Sequence, residues 1–447
     1  MRLNGCVAPS PVIIDIISPH HVDGHVIRGL DMDGVKVANR SVFLASVLVT
    51  GAVAGAFIWL LLFLMNLGIS LLWDRVPLYL GQFYPLIMCV IGGVVIGLFT
   101  KRYGPYPEDM RAVMAKVRAE GGYDYRDLGP MSAGALLPLV FGGSVGPEAG
   151  LVGSIAAVCT WVGDRLKRFG SGFRELSRAG TYAALSAIFT APLYGLATAV
   201  DGSRAGGDGD AEVTRAQGIL ISAVAIVGAV GAVMALTHLF GGGMSLPRYS
   251  GISYGTDEFL WLVPMALVGG LAGWLFHILE HGLRHVSDGL GDRHVTKAAI
   301  AGALLGLCGM VLPFTMFAGE VQAEELNEVW TTMSVATLLA TGFLKIAVTA
   351  LCVNMGWRGG HFFPVIFSGI SIGYGLAMAL GLDPVFCVCA VTASVVGGVM
   401  RRPLMAVLLL FLCFPVQSVL VLAAGAVIGS VIPLPRGIAH TDDTDGL

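Results

Sequence analysis

Residues 41–73, 76–100, 179–200, 216–247, 298–319 and 403–435 contain no Asp, Glu, Lys or Arg. As a helix rising about 1.5 Å per residue, each could cross ~30 Å of hydrocarbon. Hydrophobic residues make up 55% of the 447 and charged residues 13%. Mean hydropathy is +0.78, well outside the balance of a soluble globular domain. The pattern predicts an all-α membrane protein with the lipid bilayer as its solvent.

Composition also excludes several function classes. The net charge of −3 is spread over many loops and makes no basic stripe, so no nucleic-acid partner is expected. Cys6, Cys89, Cys159, Cys308, Cys352, Cys387, Cys389 and Cys413 lack CxxC spacing and nearby His clusters. They read as small buried hydrophobes, not as a disulfide framework or zinc site. HExxH and paired intramembrane Asp are absent, so neither an enzyme nor a bound metal or cofactor is expected.

Four segments follow: a polar tail at 1–40 without a signal-peptide core, a first membrane half at 41–215, a second at 216–435, and a short polar tail at 436–447 with no regulatory domain. Arg165, Lys167, Arg168, Arg174 and Arg178 outweigh Asp164 and Glu175, which predicts a cytoplasmic loop. Glu320, Glu324, Glu325 and Glu328 form an acidic segment expected to face outward. Gly and Pro number 62 and 20; inside apolar runs they predict broken or closely packed helices. The pairs Gly51 with Gly55, Gly93 with Gly97, and Gly269 with Gly273 suit close helix contacts.

One pattern occurs twice. Gly142-Gly143-Ser144-Val145-Gly146-Pro147 and Gly359-Gly360-His361-Phe362-Phe363-Pro364 both read GGxxxP, and Ala191-Pro192-Leu193 and Arg402-Pro403-Leu404 follow them at Pro-to-Pro separations of 45 and 39. Same order at similar spacing points to an internal duplication. Proline suits the first helical position, where no N–H is needed, so each element is a candidate helix N-terminus. At membrane depth, unpaired amides and the positive end of the helix dipole favour an anion. Glycine lets backbone approach the ion, and neither element contains a basic residue that would hold it too tightly. Arg358, just before the second element, could attract anions at its mouth.

These elements resemble the CLC family of chloride channels and proton-coupled chloride exchangers, over most of residues 42–435. Gly143-Ser144-Val145-Gly146-Pro147 is similar to the family's G(K/R)EGP element. Gly360-His361-Phe362-Phe363-Pro364 matches its GxFxP element, and Phe189-Thr190-Ala191-Pro192-Leu193-Tyr194-Gly195 resembles its FNAPLAG segment. The resemblance implies an inverted repeat of two antiparallel halves with tilted and re-entrant helices. It also implies a homodimer with one pore per subunit, and a multi-pass protein of the plasma (inner) membrane.

The departures are coherent. The central Glu of G(K/R)EGP, which gates the family's exchangers and carries protons, is replaced by Val145, which neither competes as a carboxylate nor titrates. The inner proton-delivering Glu aligns with Gly202, beside Asp201. The GSGIP loop that supplies a serine aligns with Gly104-Pro105-Tyr106-Pro107-Glu108, where Tyr106 offers a hydroxyl or simply forms a turn. Pro433-Leu434-Pro435 stands where the family has a pore tyrosine.

The expected function is passive conduction of chloride or a similar small anion. Gly143, Ser144, Val145, Gly146, Gly360, His361, Phe362, Phe363 and Tyr106 are its candidate anion-binding residues, acting chiefly through main-chain N–H groups, and Val145 occupies the gate position. A proton-coupled antiporter using Glu148, or fluoride transport, is the alternative. Glu148 is open to two readings, a dipole partner in the first turn of its helix or a gating and proton-binding carboxylate. Lys345 reads first as a partner for carbonyls or a carboxylate and second as an attractor of anions. His361 either tunes anion entry by protonation or packs as a neutral ring.

Overall fold

The computed structural model describes residues 32–435, apart from 75–80, 109, 121, 167–172, 190, 206–214, 243–245 and 254. The end segments at 1–31 and 436–447, Thr190, Lys167 and Arg168 lie outside the described residues, as do the side chains of Arg174, Arg178 and Asp201. Met1–Val42 and Phe43–Leu447 form two compact units, the second of which holds the candidate site. Helix already starts at Met32, within the segment read as a polar tail.

Among the described residues, seven helical segments are long and apolar enough to cross a membrane. They belong to α1 (Met32–Ile69), α2 (Tyr84–Tyr103), α8 (Arg215–Phe240), α9 (Thr256–Gly289), α10 (His294–Val311), α12 (Val335–Asn354) and α13 (Phe362–Leu380). The others are α3 (Met110–Glu120), α4 (Leu128–Val140), α5 (Pro147–Leu166), α6 (Phe173–Ile188), α7 (Pro192–Ala205), α11 (Glu320–Val329), α14 (Pro384–Met400), α15 (Pro403–Leu410) and α16 (Val419–Val431). The expected broken helices are present. The uncharged run 179–200 divides into α6 and α7 because Pro192 must begin a helix, and the run 403–435 divides into α15 and α16 around a turn containing Pro415.

Helices α13 and α14 lie at the centre. Their residues are apolar on every side and nearly all buried, the mark of a helix surrounded by other helices. The three small-residue pairs read from the sequence all fall in close contacts: Gly51 and Gly55 lie on the α8 backbone at Ala225 and Ala229, Gly93 and Gly97 on α10, and Gly269 and Gly273 on α14. Without a strong hydrophobic drive between helices in lipid, such contact supplies the dispersion that holds them together.

The α2–α10 contact is close from both sides: a Cβ at Gly302 would overlap the carbonyl oxygen of Cys89 and one at Gly93 would overlap that of Ala298. Backbone cannot move aside as a side chain can. Gly302→Val should therefore lower stability by about 1–3 kcal/mol or more, visible as a lower thermal midpoint in detergent; an unchanged midpoint would contradict this packing.

Candidate functional site

The two GGxxxP elements, far apart in sequence, meet backbone to backbone. The Gly146 N–H donates to Gly360 O at 2.7 Å and the Gly360 N–H donates to Gly146 O at 2.7 Å, a two-residue antiparallel bridge. Irregular backbone at membrane depth must find partners inside the protein, and here each element satisfies the other. Pro147 is the first residue of α5, as expected. Pro364 is the third of α13, which opens at Phe362 with His361 as its N-cap. Both prolines still sit in the first turn, where the missing N–H costs nothing.

Glu148 lies in the first turn of α5 and is completely buried. Its carboxylate does not stay on its own helix. Oε1 accepts the Phe362 N–H at 2.7 Å, across 214 residues of sequence. That amide belongs to the first turn of α13, whose first i to i−4 bond is the Val365 N–H to His361 O, so helix geometry leaves it without an internal acceptor. Oε2 has no hydrogen-bond partner among the described residues. A carboxylate thus occupies the positive end of α13, the place where the duplicated motif predicts an anion.

Several candidate groups prove to be committed elsewhere. The Gly146 and Gly360 amides bind each other, and the Gly143 N–H donates to Pro138 O at 2.8 Å; the expectation that these three amides meet an ion is corrected accordingly. Ser144 is buried, with Oγ 3.0 Å from Thr349 Oγ1. Because Thr349 gives its own proton to Lys345 O at 2.7 Å, Ser144 is the donor in that pair. Val145 is buried too, packed where a Cβ on Gly359 would be. His361 packs its ring on Phe276 and Phe362, with centroids 5.2 and 4.6 Å away.

Tyr106 is the clearest departure. Its hydroxyl donates to Asp127 Oδ2 at 2.8 Å on an exposed flank and is not turned to the cluster. The hydrogen bond to Asp127 and partial burial both hold the phenol proton on, raising its pKa above the usual tyrosine value. The turn is nonetheless close by: Arg358 Nη1 donates to Pro105 O at 3.0 Å and Pro107 O at 3.4 Å. Arg358 therefore ties this turn to the second GGxxxP element instead of standing open at a mouth.

Lys345 is fully buried, and its ammonium donates to Phe314 O, Met316 O and Phe317 O at 3.1, 2.6 and 2.8 Å. It is the carbonyl partner foreseen from the sequence. Phe317 in turn donates its N–H to Gly142 O at 3.0 Å. One turn along α12 from Lys345, Thr349 holds Ser144, so this face of α12 fixes the first GGxxxP element at two points.

Phe189 and Tyr194 were not among the expected site residues. Phe189 stacks on Phe363 at 5.3 Å and meets Phe362 and Tyr194 edge-on at 5.9 and 5.5 Å, so these buried rings form an apolar wall beside the α13 N-terminus. Tyr194 lies within electrostatic reach of Glu148. The signal for both was their place in the FNAPLAG-like segment.

Known proteins resemble this chain in sequence and in fold. The family model described as voltage gated chloride channel matches residues 92–433. The chain is 27% identical to a provisionally named ClcB-like chloride channel protein of Ralstonia nicotianae, over 77% of this chain and 81% of that one. It is 25% identical to the provisionally named ion-transport protein YfeO of Escherichia fergusonii, over 68% and 71% of the two chains. Among solved structures, a slow cyanobacterial Cl−/H+ antiporter superposes with a TM-score of 0.70 at 17% identity, covering 90% of this chain and 98% of that one. A CLC-type fluoride/proton antiporter gives 0.65 at 20% identity, covering 90% and 97%.

Replacing Lys345 by Met keeps the bulk but leaves three buried carbonyls without their charged donor. Lys345→Met should cost on the order of 3 kcal/mol, read as loss of monodisperse protein in detergent or a large fall in thermal midpoint. Wild-type stability would show the ammonium to be dispensable.

Proposed function

Since the chain belongs to the voltage gated chloride channel (CLC) family, and so to the anion-transporting proteins of the membrane, we propose that it carries small anions of the chloride class with Glu148 as its gate. One observation supports this above all: the Glu148 carboxylate sits on the Phe362 amide at the α13 N-terminus. A carboxylate and a permeating anion want the same first-turn donors, so one excludes the other. Val145, at the family's gate position, has no such competing group. Glu148, three residues later, supplies it from the next turn by reaching across to the other GGxxxP element.

Protonation is the natural release. The neutral acid loses most of its attraction for the helix end, and the amide becomes free for an anion. This favours a proton-linked transporter over an ungated pore. Passive conduction is the second reading, favoured by Val145 itself. The protein works as a homodimer in the bilayer under either reading, as the family resemblance implies.

In liposomes, chloride efflux should rise by roughly tenfold on acidification, the factor carried by about 1.4 kcal/mol, near the low end for a hydrogen bond to a charged group. Glu148→Gln should remove that pH response. A chloride gradient should also drive protons through the wild type and not through Glu148→Gln. Efflux no faster than in protein-free vesicles would end the transport proposal, and a pH response that survives in Glu148→Gln would end the gate. Fast chloride efflux with no proton movement would favour the passive reading.

A further inference from the structure

Gly146 and Gly360 meet at the carboxylate of Glu148 as well as at each other. A Cβ built on either glycine would overlap the Glu148 side chain: Oε2 is nearest to the one on Gly146, and Cδ and Oε1 to the one on Gly360. At both positions the three nearest atoms all belong to Glu148. Neither glycine has the left-handed φ that would by itself reserve the position for glycine. Their backbones are fixed by the reciprocal bonds between them, so the space between them has a set width. What that space excludes is a methyl group, and what it contains is the carboxylate.

We propose that Gly146 and Gly360 are the seat of the gate: two positioning residues, one from each GGxxxP element, whose missing side chains hold the Glu148 carboxylate against the Phe362 amide. This rests on the reading of Glu148 as the gate and adds what determines its resting place. Oε2, without a hydrogen-bond partner among the described residues, faces Gly146, so the seat holds the carboxylate by its hydrogen bond to the Phe362 amide and by shape. An alanine at either position displaces the carboxylate while its charge and its titration remain. The gate then fails although the gating residue is intact.

The test compares chloride efflux from liposomes in acidic and in alkaline buffer, for wild type, Gly146→Ala, Gly360→Ala and Glu148→Gln. The ratio of the two rates is the readout, because a methyl group could also slow the anion and change the absolute rate. Both alanine variants should lose the pH ratio as fully as Glu148→Gln does, and adding Glu148→Gln to either should change the ratio no further. If Glu148→Gln loses the ratio while a folded alanine variant keeps it, the seat is refuted and the gate stands. If Glu148→Gln keeps the ratio, the gate reading itself fails and the seat with it. Should the alanine variants not fold, Gly146→Ala and Gly360→Ala combined with Glu148→Ala should recover monodisperse protein, since the truncated arm no longer meets the methyl; no recovery would overturn the proposal.

Discussion

The reciprocal hydrogen bonds between Gly146 and Gly360 are the constraint on which the site depends. Two stretches of irregular backbone are buried together in the protein interior, where each unpaired amide or carbonyl is costly. By pairing with each other they meet that demand and lock the start of α5 against the start of α13. The same pairing removes two glycine amides from use, and leaves the first-turn amide of Phe362 as the donor that meets Glu148. One pair of bonds thus settles both the scaffold and the electrostatics.

Two buried charges near this junction are treated in opposite ways. Lys345 has each of its three donors matched by a carbonyl, which suits a group that holds a turn in place. Among the described residues, Glu148 is satisfied on one oxygen only. A half-satisfied buried carboxylate is poor scaffolding, but it suits a group meant to leave its position. The contrast supports different duties for two residues that the sequence presents alike, as lone charges in apolar segments.

The proposed gate would approach the site from a different residue position than Val145. Val145 precedes α5 and packs by Gly359, while Glu148 lies one turn further on, within the helix. Moving along α5 carries the side chain away from Val145's place, and the reach to α13 compensates. On that proposal the destination is the positive end of α13, approached from one turn beyond Val145.

Much of the fold was legible beforehand. The uncharged runs at 41–73, 76–100, 216–247 and 298–319 foretold four of the spans, the many prolines and glycines foretold that some apolar runs break, and the spaced glycines foretold three helix contacts, because hydrophobic length, proline geometry and the absence of a side chain act locally. The duplicated GGxxxP pattern identified the junction. Sequence alone did not decide which amides stay available, since Gly143, Gly146 and Gly360 are consumed by partners that only the fold brings near. Nor could it tell that the Tyr106 hydroxyl turns to Asp127, or that Phe189 joins the phenylalanines of α13. Glu148 is the sharpest case: local chemistry made it a carboxylate at a helix start, and either role was open. Only tertiary structure decided which helix it would serve, because the amide it binds lies 214 residues away and no local rule encodes that distance.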